Sequence, residues 1–452
     1  MDSGKELKFK NSFRSKKAKM KQSIKSIIVS LLQWEAGKVL KKYQPKIIAI
    51  TGSVGKTSTK DAIFSVLADS FNVRKSEKSF NSQIGVPLTI LGCQNGWNNP
   101  FIWLQNLIKG IILIALKIQY PEWLVLEVGA DSPGGIKNIS EWLRPDILVI
   151  TRFGKTPVHI EFFESVDELI EEDGALIDSL KRKGILILNS DDEDVRAFKN
   201  KSSSKTITYG TEGGSDIFAS NYRVMYGIDK KGKFPTGIQF TVEWGGEKAP
   251  VVLMGVLGAH HIYPAIAAVA VGISQGLNMA KISKSLRSHT TPLGRMKIIK
   301  GIKNSIIIDD SYNSSPVALE EALKTLQMIE GAKRKIAVLG DMLELGIHSV
   351  PAHKEAGAIV SRSCHLLVTV GPRSRGIAEG ALQNGMKEKD VLQFETSREA
   401  GAYLENLISE KDVVLVKGSQ SMRMEKVVEE IMDNPEEKEK LLVRQEKEWE
   451  ER

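Results

Sequence analysis

The feature that most constrains this chain is a short apolar segment followed at once by a glycine loop and a helix-forming stretch. Residues 46–50 are mainly β-branched and apolar, which predicts a buried parallel strand. Gly52 and Gly55 then allow the backbone to turn tightly and to bring its N–H groups close to a ligand. Residues 59–68 place apolar side chains at helical spacing. This order of strand, loop and helix predicts an α/β fold.

The same loop predicts an anion-binding site, because free N–H groups and the positive end of the helix dipole meet there. Lys56 is expected to contact the β- and γ-phosphates of a nucleotide, and Thr57 to offer its hydroxyl to Mg²⁺. Ile50 occupies the place of the first glycine of the longer Walker pattern, so an ordinary glycine turn is the alternative. The predicted nucleotide-binding residues of the loop are Gly52, Ser53, Val54, Gly55, Lys56, Thr57 and Ser58.

The charge of the chain is concentrated at its start. The net charge is +8, and residues 1–46 hold 13 basic and 3 acidic residues, which leaves −2 for the remainder. A nearly neutral body argues against nucleic acid as the substrate. The apolar residues Ile24, Ile27, Ile28, Leu31 and Leu32 predict an amphipathic helix. That helix either anchors the chain on an anionic membrane or packs on the next domain.

The remaining composition predicts a cytoplasmic protein, which we expect to be a monomer. Cys93 and Cys364 give no disulfide framework, and no signal peptide is visible. The apolar run from Phe101 to Gln119 is interrupted by Lys109 and leads into a strand, so we interpret it as a buried helix instead of a membrane span.

Four regions follow from the pattern along the chain. They are a basic extension with an amphipathic helix (1–45), a central α/β domain with a mostly parallel sheet and the glycine loop (46–290), a C-terminal Rossmann-like α/β domain (291–433) and a charged tail (434–452). Within the central domain, residues 205–257 predict an antiparallel meander. The C-terminal domain is predicted to have parallel strands at 305–309, 335–339, 366–370 and 412–416. Residues 433–452 are predicted to form a solvated face.

Several distinct motifs follow one another along the chain. They are the loop at 51–57, Asn81 with residues 84–89, Leu126–Ala130, Pro292–Met296, Asp309–Pro316, Gly340–Gly346, and Lys417–Ser419 with Met424 and Glu425. This ordered set resembles the Mur ligase family, ATP-dependent amide-bond ligases of peptidoglycan synthesis, from about Lys46 to Asp433. Residues 309–316 and 340–346 are most similar to the type that adds D-alanyl-D-alanine to a muramyl tripeptide.

The resemblance implies both a reaction and roles for individual residues. A substrate carboxylate attacks the γ-phosphate of ATP to give an acyl phosphate, and an amine then displaces phosphate. Lys56 and a Mg²⁺ held by Thr57 and Glu127 would serve the ATP phosphates. His159 would hold a second Mg²⁺, with a histidine that only caps backbone as the alternative. Further nucleotide contacts are implied for Arg295, Asp310 and Asn313, and contacts to the amine substrate or phosphate for Lys417 and Ser419.

The chain departs from the family pattern at three places. A basic segment of about 45 residues stands where the family usually has a domain that holds the uridine nucleotide, so the acceptor substrate is a UDP-linked, lipid-linked or trimmed muramyl peptide. His260-His261 replaces a His-Asn pair, and Pro264 replaces a later asparagine. Asp173 stands where many members carry a carbamylated lysine, so it either replaces that group catalytically or is a surface charge beside Glu171 and Glu172.

Two other functions remain open from the sequence. One is a related ligase with another amine or acid substrate, of the polyglutamate- or capsule-forming kind. The other is a non-catalytic nucleotide-binding scaffold at the membrane, which the basic extension motivates. The retained Lys56, Glu127 and His159 argue against the scaffold.

Overall fold

The computed structural model describes residues 26–77, 80–97, 99–129, 132–153, 163–229, 232–446 and 449. The chain divides into two compact units, Met1–Phe218 with Tyr263–Asn278, and Ala219–Ile262 with Met279–Arg452. The predicted division at residues 45, 290 and 433 stays a prediction.

The first unit is built on a parallel sheet. Its strands are β1 (Lys46–Thr51), β2 (Val73–Lys75), β3 (Trp123–Glu127), β4 (Ile147–Ile150), β5 (Ile185–Asn189) and β6 (Lys205–Gly210). They lie in the order β2-β3-β1-β4-β5-β6, and every neighbouring pair is parallel. All residues of β1 after Lys46 are buried, which confirms the predicted central strand.

Helices connect and cover these strands. They are α1 (26–43), α2 (Lys56–Ala68), α3 (Gly85–Leu91), α4 (Pro100–Ala115), α5 (Gly135–Ser140), α6 (Val166–Ser179), α7 (Glu193–Ala197) and α8 (Ile262–Ser274). The predicted apolar face of α2 is confirmed, because Ile63, Val66 and Leu67 are fully buried.

Helix α1 divides its apolar residues between the core and the surface. Leu32, Ala36 and Val39 are fully buried in the core of the first unit, whereas Ile27 and Leu31 are exposed. The helix therefore packs on the first unit, as the second of the two alternatives predicts. Its other apolar residues, Ile27 and Leu31, remain exposed to solvent. Ile24 lies outside the described residues.

The prediction of a buried helix over Phe101–Gln119 is wrong. A helix is present as α4, but Phe101, Leu104, Ile108, Ile111 and Ile112 are all exposed. An apolar sequence fixes the helix and its length, but it does not determine whether both faces are covered. No helix within the described residues combines the length and the apolar character that crossing a bilayer requires.

The second unit contains an antiparallel meander and a second sheet. The meander comprises β7 (Ile217–Asp229), β8 (Gly232–Trp244) and β9 (Glu247–Met254), and β8 and β9 pair antiparallel. The prediction of an antiparallel meander over 205–257 is therefore right for β8 and β9, whereas the start of β7 pairs parallel with β6. It is wrong for β6, which pairs parallel with β5 and extends the first sheet.

The second sheet has the strands β10 (Lys297–Lys300), β11 (Ile306–Asp310), β12 (Arg334–Gly340), β13 (Leu366–Val370), β14 (Val391–Phe394) and β15 (Asp412–Lys417). Their order is β10-β11-β15-β12-β13-β14, and only the edge strand β10 is antiparallel. Helices of this unit are α9 (Met279–Arg287), α10 (Pro316–Met328), α11 (Ser349–Ser363), α12 (Arg375–Gln383), α13 (Ser397–Leu407), α14 (Glu425–Ile431) and α15 (Lys438–Leu441). The four predicted strands are confirmed, and β10 and β14 were missed.

The prediction that residues 433–452 form only a solvated face is also wrong. Leu442, Val443 and Arg444 are buried, and Leu442 belongs to the core of the second unit. The apolar pair at 442–443 is too short to predict burial within a run of charged residues.

Candidate functional site

The glycine loop between β1 and α2 has the backbone geometry that its sequence predicts. Gly52 and Gly55 have φ angles of +116° and +89°, where side chains are strained. A Cβ atom at Gly52 would lie 2.4 Å from the Thr151 Oγ1 atom of the neighbouring strand. Any larger residue at position 52 would therefore push the loop away from the sheet.

Two N–H groups of this loop are already occupied. Ser53 and Val54 donate to the carbonyl oxygen of Arg152 at 2.8 and 3.0 Å. The donors that remain for an anion therefore begin at Gly55 and continue into the first turn of α2, whose leading N–H groups have no partner within the helix. Lys56 lies in this first turn, and its Nζ donates to the carbonyl oxygen of Gly52.

Thr57 and Glu127 lie together, as the sequence predicts. Thr57 Oγ1 donates to Glu127 Oε2 at 2.9 Å, and Asn81 Nδ2 donates to Glu127 Oε1 at 3.3 Å. The carboxylate is buried at the carboxyl end of β3. A hydroxyl and a carboxylate are hard oxygen ligands, so this pair fits Mg²⁺ that is completed by phosphate and water oxygens.

The predicted second metal ligand, His159, lies outside the described residues. Over the described ranges, no group of three or more histidine, cysteine, aspartate or glutamate side chains is arranged to hold a metal ion. The second Mg²⁺ therefore stays a prediction from the family resemblance.

Asp173 is not a surface charge. It is buried on α6, where it accepts hydrogen bonds from Thr51 Oγ1 and, at 3.3 Å, from the Gly52 N–H. Burial raises the pKa of Asp173, although nearby Lys56 and the two hydrogen bonds oppose that rise. The surface-charge alternative is thus wrong, and Asp173 supports the start of the glycine loop from the side of α6.

The neighbouring Glu172 has a separate structural role that the sequence did not indicate. Its carboxylate accepts hydrogen bonds from the N–H groups of Gly134, Ile136 and Lys137 at 3.1, 2.6 and 3.2 Å. These donors lie at the N-terminus of α5, where a negative charge is favourable. The acidic run on α6 therefore ties α5 and the glycine loop to one helix.

In the second unit, the predicted nucleotide contacts lie around a buried ion pair. Lys417 Nζ donates to Asp310 Oδ2 at 2.6 Å and to the carbonyl oxygen of Asn313 at 2.9 Å. Asp310 Oδ1 also accepts from the Met296 N–H at 3.2 Å. Both charged side chains are buried, so each depends on the other for compensation of its charge.

Arg295 and Tyr312 extend this cluster. The Arg295 guanidinium lies 4.2 Å from the centre of the Tyr312 ring, and the Tyr312 N–H donates to the Gly294 carbonyl oxygen at 3.1 Å. Arg295 is further linked to His261, whose Nε2 lies 3.2 Å from the Arg295 carbonyl oxygen. Burial lowers the pKa of His261 well below its usual value, so this ring is neutral.

The segment that follows α15 supports the same loop from behind. Arg444 donates to the carbonyl oxygen of Ser311 at 3.2 Å, to that of Tyr312, and to Glu425 Oε2 at 2.7 Å. Glu425 is fully buried and also accepts from Arg423 Nε at 2.5 Å. Sequence reasoning missed Arg444, because its partners lie far away along the chain.

Ser419 organises another family motif. Its Oγ accepts from the Leu343 N–H at 2.8 Å, and its own N–H donates to the Asp341 carbonyl oxygen at 3.0 Å. The motif at 340–346 is therefore bound to the end of β15, where Lys417 also lies. A contact of Ser419 with substrate stays a prediction.

The chain matches the family models for the Mur ligase middle domain over residues 50–272 and for the Mur ligase glutamate ligase domain over residues 294–420. A UDP-N-acetylmuramoyl-tripeptide–D-alanyl-D-alanine ligase of Bacillus subtilis is 30% identical over 408 residues, which are 90% of this chain and 80% of the relative. The Escherichia coli ligase with the same description is 28% identical over 395 residues, 86% of this chain and 77% of the relative.

The chain belongs to the Mur ligase family.

Solved Mur ligases share the fold. A MurF crystal structure from Acinetobacter baumannii has a TM-score of 0.72 at 25% identity, covering 89% of this chain and 79% of that one. MurF of Thermotoga maritima, solved in complex with ADP, has a TM-score of 0.70 at 24% identity, covering 89% and 83%. The predicted α/β fold class and the prediction of an ATP-dependent ligase are thereby confirmed.

The site residues of this Mur ligase are divided between the two matched family domains. The middle-domain match contains the glycine loop, Glu127 and Asp173, and the second match contains Arg295 and the Asp310–Lys417 pair. Arg444 lies beyond both matched ranges. Contacts of these individual residues with nucleotide or metal stay predictions.

Proposed function

We propose that this Mur ligase joins the carboxylate of a muramyl tripeptide to the amine of D-alanyl-D-alanine, with ATP as the energy source, in peptidoglycan precursor synthesis. The observation that carries the proposal is the grouping of Lys56, Thr57 and Glu127 around the glycine loop of a Mur ligase middle domain. The D-alanyl-D-alanine-adding description of the relatives supports the choice of substrates.

The reaction proceeds in two steps. A carboxylate oxygen of the tripeptide bonds to the γ-phosphorus of ATP, the bond to the β-bridging oxygen breaks, and ADP leaves with the electron pair. The amine nitrogen of D-alanyl-D-alanine then bonds to the acyl carbon, the carbon–oxygen bond breaks, phosphate leaves, and the nitrogen loses a proton. The first step brings two anions together, so it requires cationic screening.

The residues of the first unit supply this screening. Lys56 moves from the Gly52 carbonyl oxygen to the transferred phosphoryl group, and the N–H groups at the start of α2 bind the phosphates. Thr57 and Glu127 would hold Mg²⁺, which would contribute positive charge against the phosphate oxygens. Asp173 and the Arg152 carbonyl oxygen keep the loop in place for these contacts.

We also propose that the ligase works as a monomer in the cytoplasm. The tripeptide can reach it in a UDP-linked, a lipid-linked or a trimmed form. The nucleotide roles of Arg295, Asp310 and Asn313, and the Mg²⁺ role of His159, rest on the family resemblance.

The test is a phosphate-release assay with each substrate present and absent in turn. We expect release from ATP only when a UDP-N-acetylmuramoyl tripeptide and D-alanyl-D-alanine are both present, with mass spectrometry showing the pentapeptide product. The control replaces D-alanyl-D-alanine by L-glutamate. Release that depends on L-glutamate instead would support a polyglutamate-type ligase, and the absence of turnover with any pair would support a non-catalytic scaffold.

A further inference from the structure

Helix α4 presents an apolar face to solvent. Phe101, Leu104, Ile108, Ile111 and Ile112, named here the α4 outer face, are between 40% and 75% exposed. Their spacing of three, four and seven residues places them on one side of the helix, along about 24 Å for 16 residues. A contiguous row of bulky apolar side chains is unusual on a surface that contacts only water.

The helix is fixed with this face outward. Its opposite side carries the buried residues Asn106, Gly110 and Leu113. Lys42 and Tyr43 of α1 donate to the Leu113 carbonyl oxygen, both at 3.0 Å, and both side chains also reach the Leu116 carbonyl oxygen. A rotation that buried the α4 outer face would break these bonds and expose the other side.

The chain around α4 is poor in acidic residues, and the buried Glu35 of α1 packs at Gly110, on the side of the helix opposite to the α4 outer face. No aspartate or glutamate occurs between Glu77 and Glu122, whereas Lys109 and Lys117 lie in and just after the helix. Residues 1–25 carry nine basic and two acidic residues and join α1 at Ser26, next to the exposed Ile27. The apolar face is therefore combined with positive charge, which is complementary to an anionic lipid surface.

Exposed tryptophans add to this character. Trp97 precedes α4 by three residues, and Trp34 lies on α1 with Lys38 Nζ 5.7 Å from its ring centre. Both indoles are more than half exposed. Tryptophan and lysine are the side chains that favour the boundary between lipid headgroups and acyl chains.

We propose that the α4 outer face docks this ligase on the surface of an anionic phospholipid bilayer. The helix lies along the plane of the membrane with its apolar side chains between the headgroups. The lysines of α1 contact the lipid phosphates. A second copy of the chain is a poorer occupant, because it would bring the same lysines of α1 and α4 together.

The experiment uses the full chain and vesicles of phosphatidylcholine with and without phosphatidylglycerol. The wild type is expected to co-sediment with the anionic vesicles, less strongly at high salt and weakly with phosphatidylcholine alone. Leu104→Gln/Ile111→Gln should weaken partitioning about tenfold or more, because two side chains that enter the interface lose their apolar surface. Glutamine keeps the helix propensity and adds no charge.

The matched control is Ile228→Gln, since Ile228 is an exposed isoleucine of the second unit and is 84% exposed. It should leave vesicle binding unchanged. Circular dichroism and thermal melting of both variants verify that the fold is retained. Trp97→Phe should reduce the blue shift of tryptophan fluorescence that vesicle addition produces in the wild type.

Three outcomes would overturn the proposal. One is a folded Leu104→Gln/Ile111→Gln variant that binds anionic vesicles as the wild type does. Another is an equal loss of binding in Ile228→Gln. The third is a wild type that does not bind vesicles but forms a dimer, while Leu104→Gln/Ile111→Gln is monomeric. That result would assign the α4 outer face to a second copy of the chain.

Discussion

Replacing Glu35 by glutamine should stabilise the first unit at alkaline pH. Glu35 lies on α1 against Gly110 of α4, where a Cβ atom at position 110 would be 2.1 Å from Glu35 Oε2. The side chain is 3% exposed, and within the described residues Oε2 has no hydrogen-bond partner. Burial raises the pKa of Glu35 from 4.5 to about 7, because a charged carboxylate loses its hydration there.

The magnitude follows from the two pKa values. Because the pKa of Glu35 is higher in the folded state, its contribution to stability is fully present below pH 4.5 and is lost as the pH rises through about 7. Between about pH 5 and pH 8, this loss amounts to about 2.5 kcal/mol of unfolding free energy. Water that reaches the junction of α1 and α4 reduces the penalty, so we expect about 1 to 2.5 kcal/mol.

The assay is denaturant unfolding of wild type and Glu35→Gln at both pH values, followed by tryptophan fluorescence. From about pH 5 to about pH 8, the unfolding free energy of Glu35→Gln should rise relative to that of the wild type by about 1 to 2.5 kcal/mol. Glu141→Gln, at an exposed position of the same unit, removes the same charge and should show no such change.

A pH-independent difference between wild type and Glu35→Gln would refute the reasoning. It would mean that the Glu35 carboxylate is hydrated or paired in the folded protein. A parallel change in Glu141→Gln would instead assign the effect to net charge and not to burial.

Three further predictions concern the glycine loop of the first unit and the Arg444 contacts of the second unit. Lys56→Ala should lower turnover at least about a hundredfold with unchanged melting, because the transferred phosphoryl group loses its screening charge; near-normal phosphate release by a folded variant would exclude that role. Asp173→Ala should cost about 1 to 3 kcal/mol and weaken ATP binding, since Thr51 and the Gly52 N–H lose their acceptor. Wild-type activity should not respond to bicarbonate. A wild type that requires bicarbonate would contradict this account, and so would an Asp173→Ala variant that binds ATP with full affinity. Arg444→Met should cost about 2 to 4 kcal/mol in denaturant unfolding, because Glu425 loses one of the two cations that contact it within the described residues, and two carbonyl oxygens lose a donor. A loss below about 0.5 kcal/mol would show that this contact is not formed in solution.

The glycine loop could be predicted because its determinants are local. A β-branched segment, two glycines and a helix-forming stretch lie within about twenty residues, and each specifies its own conformation. The pairing of Thr57 with Glu127 was accessible for a related reason. The carboxyl ends of adjacent parallel strands meet at one edge of a sheet, which places a residue at the end of β3 beside the loop after β1.

The features that sequence reasoning missed depend on distant partners. Arg444 contacts Ser311 across more than a hundred residues, and neither residue carries a local signal for the other. Asp173 looked like its acidic neighbours, because only the position of α6 decides which carboxylate faces the loop. The exposure of α4 was missed for the same reason, since the coverage of a helix face is a property of its neighbours.

The strand order of the second sheet has a consequence for biosynthesis. Strand β15 lies between β11 and β12, yet it follows β11 by about a hundred residues in the sequence. While the chain emerges from the ribosome, β11 and β12 must wait for residues 412–417 with facing edges unpaired. Open edges of apolar strands attract other strands, so aggregation of the nascent chain is favoured during this interval. A slow codon cluster just before β15 would prolong that exposure and reduce the yield of folded protein.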